Sequence, residues 1–359
     1  MKKLLLIDYP YPDGRAREDA LRAMGFDVRV FNLFKSRVWA GSGPVKRRIK
    51  PLATMLRPLM AFARRYDLYR LNREAIDVAR RFGPDIVLII KGDQLSVDTI
   101  RRMKKCGSPM LVNWDGDSML SPGRPRAVMP KLALYDRFFT VDDIEMLPPE
   151  IQAEMRRRNP RIHTLPFAAN TDYYAPSKAG GSGNADYSSS LVFIGTINPV
   201  RKALLEKLSD LDLRIWGPKN SAWGTWLAQG SPLEKAYQGP SIYGEELVRL
   251  YANAGAVLDI HFLFSTGRTI PNVTARVYEV PAAGGFVLTN DSPQLARLFR
   301  AGEEIVSYCG IDDLREKAAY YLGHPNERAR IAENGRARVV REHTFRLRLE
   351  TMMRTANVN

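Results

Sequence analysis

Two carboxylates, Asp115 and Asp117, follow an apolar run in LVNWDGDS, residues 111–118. A carboxylate just past a strand can orient a hydroxyl or take its proton as a general base. Strand-end aspartates also cap helices routinely. His261 closes a second apolar run, AVLDIHF (256–262), and is the third candidate for acid–base work, although histidines in cores or loops are commoner. Two further groups suit an anion. Arg201 and Lys202 open a helix just after VFIG and Gly195, and such cations can neutralise charge developing on a departing phosphate. A helix beginning near Thr274 would aim its unpaired N–H groups and the positive end of its dipole at a ligand, and Glu279 lies about a turn and a half into it.

The elements that must position these residues read as alternating strands and helices. KKLLLID (2–8), FDVRVFNL (26–33), DIVLIIKG (85–92), MLVNWDGD (110–117) and YDRFFTVD (135–142) are strand-like, and RIHTLPFAANTDYYAP (161–176) gives a last strand and an exit. Helices are expected over 17–25, over a long region from about 45 to 82, and over 96–107, opened by Ser96 and closed by Gly107. The small polar stretch 177–189 reads as a linker. The alternation then restarts with SLVFIGT (190–196), LDLRIWG (211–217), AVLDIHF (256–262), FVLTND (286–291) and IVSYCG (305–310). Strands alternating with helices imply parallel sheets, so the expected architecture is α/β, with two Rossmann-like doubly wound domains facing across a cleft. The expected domains span 1–176 and 190–343, with a linker over 177–189 and a C-terminal helix over 344–359 that packs back toward the first domain.

The 359 residues carry a formal charge of +15, which favours anionic partners: nucleotides, nucleic acid or acidic headgroups. Residues 35–65 hold nine Lys or Arg and no Asp or Glu. Val45, Ile49, Leu52, Leu56, Leu59 and Met60 recur there at roughly helical spacing, so the segment can lie on an anionic membrane surface or pack on the core with a solvated basic face. Nucleic acid fits less well, because Trp39 and Phe62 do not make a stacking pattern. The apolar start Leu4–Ile7 is too short for a signal peptide and ends at Asp8, which points to a cytoplasmic protein, peripheral to the inner membrane face if the basic segment docks there. Cys106 and Cys309 form no CxxC, and the four histidines (163, 261, 324 and 343) do not cluster, so neither a disulfide framework nor a metal site is expected.

The C-terminal block resembles the donor domain of CgeB-like (spore maturation protein-like) GT-B glycosyltransferases, relatives of the retaining family-four enzymes. The resemblance rests on Arg276-x-x-Glu279, Ala283-Gly284-Gly285, Leu288-Thr289, and the tail His324-Pro325-x-x-Arg328, Ile331-Ala332-x-x-Gly335, Glu342-His343-Thr344 and Arg348. It implies a nucleoside-diphosphate sugar as donor substrate, a hydroxyl acceptor and no cofactor. Glu279 would accept hydrogen bonds from the ribose hydroxyls, and the donor site would include Asn272 and Arg276. Gly195 to Arg201 resembles the family's Gly-x-x-x-x-x-Arg donor-phosphate element, with Lys202 beside it. RIWG (214–217) and PSIYGEE (240–246) fall where such enzymes hold the base, which makes Trp216 and Tyr243 candidates, Glu246 less so. Trp216 fills the core equally well.

One departure bears on the chemistry. The family carries two glutamates separated by seven residues; Glu279 matches the second, and Pro271 stands at the first. That position normally touches the donor sugar, so sugar identity and stereochemistry stay open. A DNA-modifying glycosyltransferase and a non-catalytic nucleotide-sugar binding module are the alternatives. A dinucleotide oxidoreductase is disfavoured, because DYPYPDGR (8–15) after the first strand lacks GxGxxG.

Overall fold

In a computed structural model, the chain is described over residues 1–33, 57–178, 187–221, 224–227, 230–261 and 270–358. Most of the basic segment, most of the expected linker and residues 262–269 after His261 therefore lie outside the described residues. The fold divides into two compact units, Met1–Leu165 with Leu349–Asn359, and Pro166–Arg348. The exit segment 166–176 thus groups with the second unit, and the end of the terminal helix with the first.

The first unit is built on a six-stranded parallel sheet. Its strands are β1 (Lys3–Asp8), β2 (Asp27–Asn32), β3 (Ile86–Ile90), β4 (Met110–Asp115), β5 (Arg137–Thr140) and β6 (Ile162–Thr164), in the order β2-β1-β3-β4-β5-β6. Every residue of β3 and Leu4 to Ile7 of β1 are buried, as strands covered by helices on both faces require. The covering helices are α1 (Pro12–Ala23), α2 (Arg57–Phe82), α3 (Val97–Lys104), α4 (Arg124–Leu132) and α5 (Pro149–Arg158). Ser96 caps α3 as its sequence suggests, its side chain accepting the Thr99 N–H at 3.1 Å. The expected last strand of this half is only three residues long, and the long helix runs from Arg57 among the described residues.

The second unit repeats the plan with β7 (Leu191–Ile194), β8 (Leu213–Trp216), β9 (Tyr237–Gly239), β10 (Ala256–Leu258), β11 (Val287–Asn290) and β12 (Val306–Tyr308). Their order is β9-β8-β7-β10-β11-β12, and all pairings are parallel. Between and after the strands come α6 (Pro199–Glu206), α7 (Gly244–Asn253), α8 (Arg276–Ala282), α9 (Pro293–Leu298), α10 (Gly310–Leu322), α11 (Pro325–Glu342) and α12 (Phe345–Thr355). The chain reverses direction across the sheet between β1 and β3 in the first unit, and between β7 and β10 in the second. Crevices at such switch points, beyond the carboxyl ends of the strands, are where doubly wound sheets bind ligands. Among the described residues, no helix is long and apolar enough to cross a membrane.

Candidate active site

At the second unit's switch point, two arginines tie the ends of the neighbouring strands β7 and β10 together. Asn198 caps α6 by accepting the Arg201 N–H at 2.8 Å, and Pro199 starts the helix, so the cap fixes where Arg201 stands. The Arg201 guanidinium donates to the Ile260 carbonyl from Nε (3.0 Å) and Nη2 (2.5 Å), and to the Thr196 carbonyl from Nη1 (2.8 Å). Burial, followed by the neighbouring charge of Arg276, pulls its pKa down to about 10. Arg201 is therefore a desolvated cation whose described hydrogen-bond partners are backbone carbonyls.

Arg276, the first residue of α8, donates to the Ile194 carbonyl at 2.6 Å and to the Asp259 carboxylate at 2.9 Å. Asp259 directly follows β10 and is 1% exposed. Its second carboxylate oxygen accepts the Thr274 hydroxyl at 3.0 Å and the Thr289 hydroxyl at 2.9 Å, and its backbone carbonyl accepts the Tyr308 hydroxyl at 2.8 Å. Burial opposes the charge on Arg276, but Tyr251, Asp259 and Glu279 outweigh it and raise the guanidinium's pKa. Glu279 is half-buried on the same helix. The helix expected from near Thr274 begins at Arg276, and the Thr274 carbonyl accepts the Val277 N–H in the turn that leads into it. Asp259 did not emerge from the sequence, and neither did its pairing with Thr274 and Thr289. The signal was an acid interrupting the apolar AVL of β10, two residues before the noted His261.

The close approach of the first two strand ends depends on glycine. Gly195, at φ +148°, donates its N–H to the Trp216 carbonyl at 2.9 Å. A Cβ at Gly217 would stand 2.2 Å from the Gly195 carbonyl oxygen, so only glycine fits there. His261 packs against the same floor. Its N–H bonds the Asn290 side-chain oxygen at 2.6 Å, and its Nε2 lies 2.7 Å from the Asn272 side-chain oxygen. Burial lowers the His261 pKa, with Asn272 opposing, so the ring is neutral near pH 7 and donates Nε2–H to Asn272.

The structure thus gathers Gly195, Arg201, His261, Asn272 and Arg276 around one strand-end crossing. The other donor candidates are placed differently. Lys202 pairs with Glu206 one turn on, at 2.9 Å. Trp216 is buried, with its ring edge-on to Tyr187 at 5.6 Å, which is a packing role. Tyr243 precedes α7 and is 77% exposed.

In the first unit, the two aspartates have different surroundings. Asp115 ends β4 fully buried and takes both ends of the Arg124 guanidinium, Nε at 2.9 Å and Nη2. Burial pushes its pKa up to about 6, even with Arg124 pulling it down. Asp117 is partly exposed and pairs with Lys91 at 2.7 Å. Arg124 also reaches Asp93 at 2.6 Å, so this cation is the hub of three carboxylates at the strand ends. Lys91, at φ +57°, carries backbone strain at the end of β3. Neither Arg124 nor Lys91 was predicted, since a basic residue distant in sequence from its acid leaves no local pattern.

Comparison with known proteins fits this geometry. Residues 201–354 match a family model described as glycosyl transferase-like. Spore protein CgeB of Bacillus subtilis (strain 168) is 26% identical over 283 residues, which span 76% of this chain and 83% of that protein. Among solved structures, a sucrose-phosphate synthase from Thermosynechococcus elongatus superposes with TM-score 0.63 at 14% identity, covering 99% of this chain and 98% of the other. Anabaena Alr3699/HepE in complex with UDP-glucose gives TM-score 0.61 at 13% identity over the full length of both chains. An alpha-glucosyltransferase in complex with UDP-glucose and DNA containing an abasic site gives 0.60 at 11% identity, covering 99% of each chain. Through its second half the chain is similar in sequence to glycosyl transferase-like proteins, over most of its length it resembles spore protein CgeB, and along its whole length it has the GT-B fold of the glycosyltransferases it superposes on.

Proposed function

We propose that the enzyme moves a glycosyl group from a nucleoside-diphosphate sugar to a hydroxyl of a glycan, lipid-linked or cell-surface acceptor, with retention of configuration and without a metal ion. The observation that carries this reading is Arg201, a half-buried cation hydrogen-bonded to carbonyls and set beside a second guanidinium at the switch point. A partly desolvated charge of this kind gains from an anionic ligand, and a diphosphate supplies one. UDP and UDP-glucose complexes of similarly folded proteins support a uridine nucleotide as the first donor to try. In the reaction, the bond from the anomeric carbon to the diphosphate oxygen breaks and the acceptor oxygen forms the new one. Arg201 and Arg276 stabilise the charge that collects on the leaving diphosphate.

The surroundings of Asp115 support retention. Fully buried and held at both oxygens by Arg124, it is poorly placed to take a proton from an acceptor on the opposite face. In a same-face reaction the departing diphosphate takes that proton itself. With guanidinium groups doing the neutralising, no metal is required.

The test is a calorimetric and thermal-shift panel of UDP, GDP, dTDP and CMP with their sugar conjugates. Saturation near 100 times the dissociation constant stabilises the fold by about 2.7 kcal/mol. One nucleotide should give such a shift, and its sugar conjugate should turn over in the presence of EDTA to a product of unchanged anomeric configuration, read by proton NMR. Binding without turnover on any acceptor would support a binding module instead. A second reading, transfer to a hydroxylated DNA base, draws on the DNA-bound neighbour and the +15 charge. Labelled-sugar incorporation into hydroxymethylated DNA would select it.

A further inference from the structure

Helix α2 has two halves with different surroundings. From Leu71 onward its Leu71, Ala75, Ala79 and Phe82 are buried in the core of the first unit. Its earlier part, from Ala61 to Tyr66, is exposed on every side. Three aromatic residues stand out there: Phe62 at 69% exposure, Tyr66 at 57% and Tyr69 at 63%. Their spacing of four and three residues puts them in one line on one face of the helix, roughly opposite the face that Leu71, Ala75 and Phe82 bury. Arg65 and Arg70 flank that line on either side, and Arg73 continues it; all three are exposed. Arg65, Tyr69 and Arg73 also line one side of a groove of about 810 Å³ between α2 and α3.

Large aromatic side chains left in water at helical spacing, ringed by guanidinium groups, match an anionic lipid interface. The rings sit at the headgroup level and the cations pair with lipid phosphates. The preceding chain has the same sign of charge: residues 35–65 hold nine basic residues and no acidic one. We infer that the exposed end of α2 docks the enzyme on an anionic membrane surface, with Phe62, Tyr66 and Tyr69 inserted at the interface and Arg65, Arg70 and Arg73 on the headgroups. The inference does not depend on the donor or on the stereochemistry proposed above.

The experiment uses the full chain in co-sedimentation with two sets of vesicles, phosphatidylcholine alone and phosphatidylcholine containing phosphatidylglycerol. Binding is expected only to the anionic set, and should weaken as salt is raised. Phe62→Ala/Tyr66→Ala/Tyr69→Ala is expected to lower the partition coefficient at least ten-fold, and Arg65→Glu/Arg70→Glu to abolish it. Because these side chains are exposed, both variants should keep the wild-type melting temperature and nucleotide-induced thermal shift, which separates loss of docking from loss of fold. Failure of the wild type to bind anionic vesicles at low salt overturns the inference, as does undiminished binding by the aromatic variant. Duplex or single-stranded DNA that displaces the protein from vesicles, and whose binding is lost with the same substitutions, would reassign the surface to nucleic acid.

Discussion

Arg276 reaches both strands of the second unit's switch point at once, donating to the carbonyl of Ile194 at the end of β7 and to the carboxylate of Asp259 just past β10. The two strands are neighbours in the sheet, and the arginine links their ends with its own fork of donors. Arg201 makes a second closure a few ångströms of chain further out, on the carbonyls of Thr196 and Ile260. One guanidinium is matched by a carboxylate and the other by carbonyl dipoles, and this difference separates their expected roles.

Arg201 is expected to act mainly on the chemical step. Arg201→Ala should lower kcat by about 10²-fold, the usual cost of removing a donor aimed at developing charge. Arg201→Lys should recover only part of this, since a point charge cannot hold two carbonyls and a phosphate in one plane. Steady-state kinetics with the donor identified by the binding panel decide the matter; a fall confined to KM would mean that Arg201 binds ground state and transition state alike.

Arg276 is expected to act mainly on stability. Among the described residues, Arg276→Met leaves the buried Asp259 carboxylate with its two threonine hydroxyls, and should cost about 3–5 kcal/mol, as breaking a buried pair does. Adding Asp259→Asn removes the stranded charge and should restore part of that loss. Urea unfolding of the two single variants and the double variant measures the coupling; strict additivity would contradict the pairing.

Gly217→Ala should damage the donor loop from behind. The new Cβ meets the Gly195 carbonyl oxygen at 2.2 Å, so the two strand ends must part. Overpacking of this kind costs about 1–3 kcal/mol. Weaker nucleotide binding should accompany the lower melting temperature, whereas a nucleotide affinity equal to wild type would show that the Gly195 turn does not shape the site.

His343 gives a signed pH dependence. Burial, and then Arg348, pull its pKa down to about 4 from an ordinary value near 6.5. Its ring accepts the Arg348 Nη2–H at Nδ1 (2.8 Å) and donates from Nε2 to the Leu298 carbonyl (3.1 Å), a pattern that requires the neutral form. Between pH 6.5 and 4 the unfolded chain therefore binds a proton that the native state refuses, and stability falls as the pH falls. Asp115, raised to about 6, works in the opposite direction over part of this window, so the test is a difference. The destabilisation caused by His343→Gln should shrink by about 2–3 kcal/mol as the pH drops from 6.5 to 4. A pH-independent difference would place the proton elsewhere.

The sequence by itself determined the two runs of alternating strands and helices, because buried parallel strands such as Ile86–Ile90 and Leu191–Ile194 are unbroken apolar runs between turn residues. It also placed Arg201 and Arg276 close to helix starts, which are local events, although α8 begins two residues later than expected. Only the tertiary structure decided what those residues touch. Asp259 is an ordinary acid in the sequence, and it becomes the anchor of Arg276 because β10 happens to lie beside β7 rather than beside its chain neighbour β9. The same holds for Asp115, an apparently available base that Arg124 occupies, and for Trp216, whose indole meets Tyr187. Strand order brings together side chains remote in sequence, and local periodicity carries no record of it.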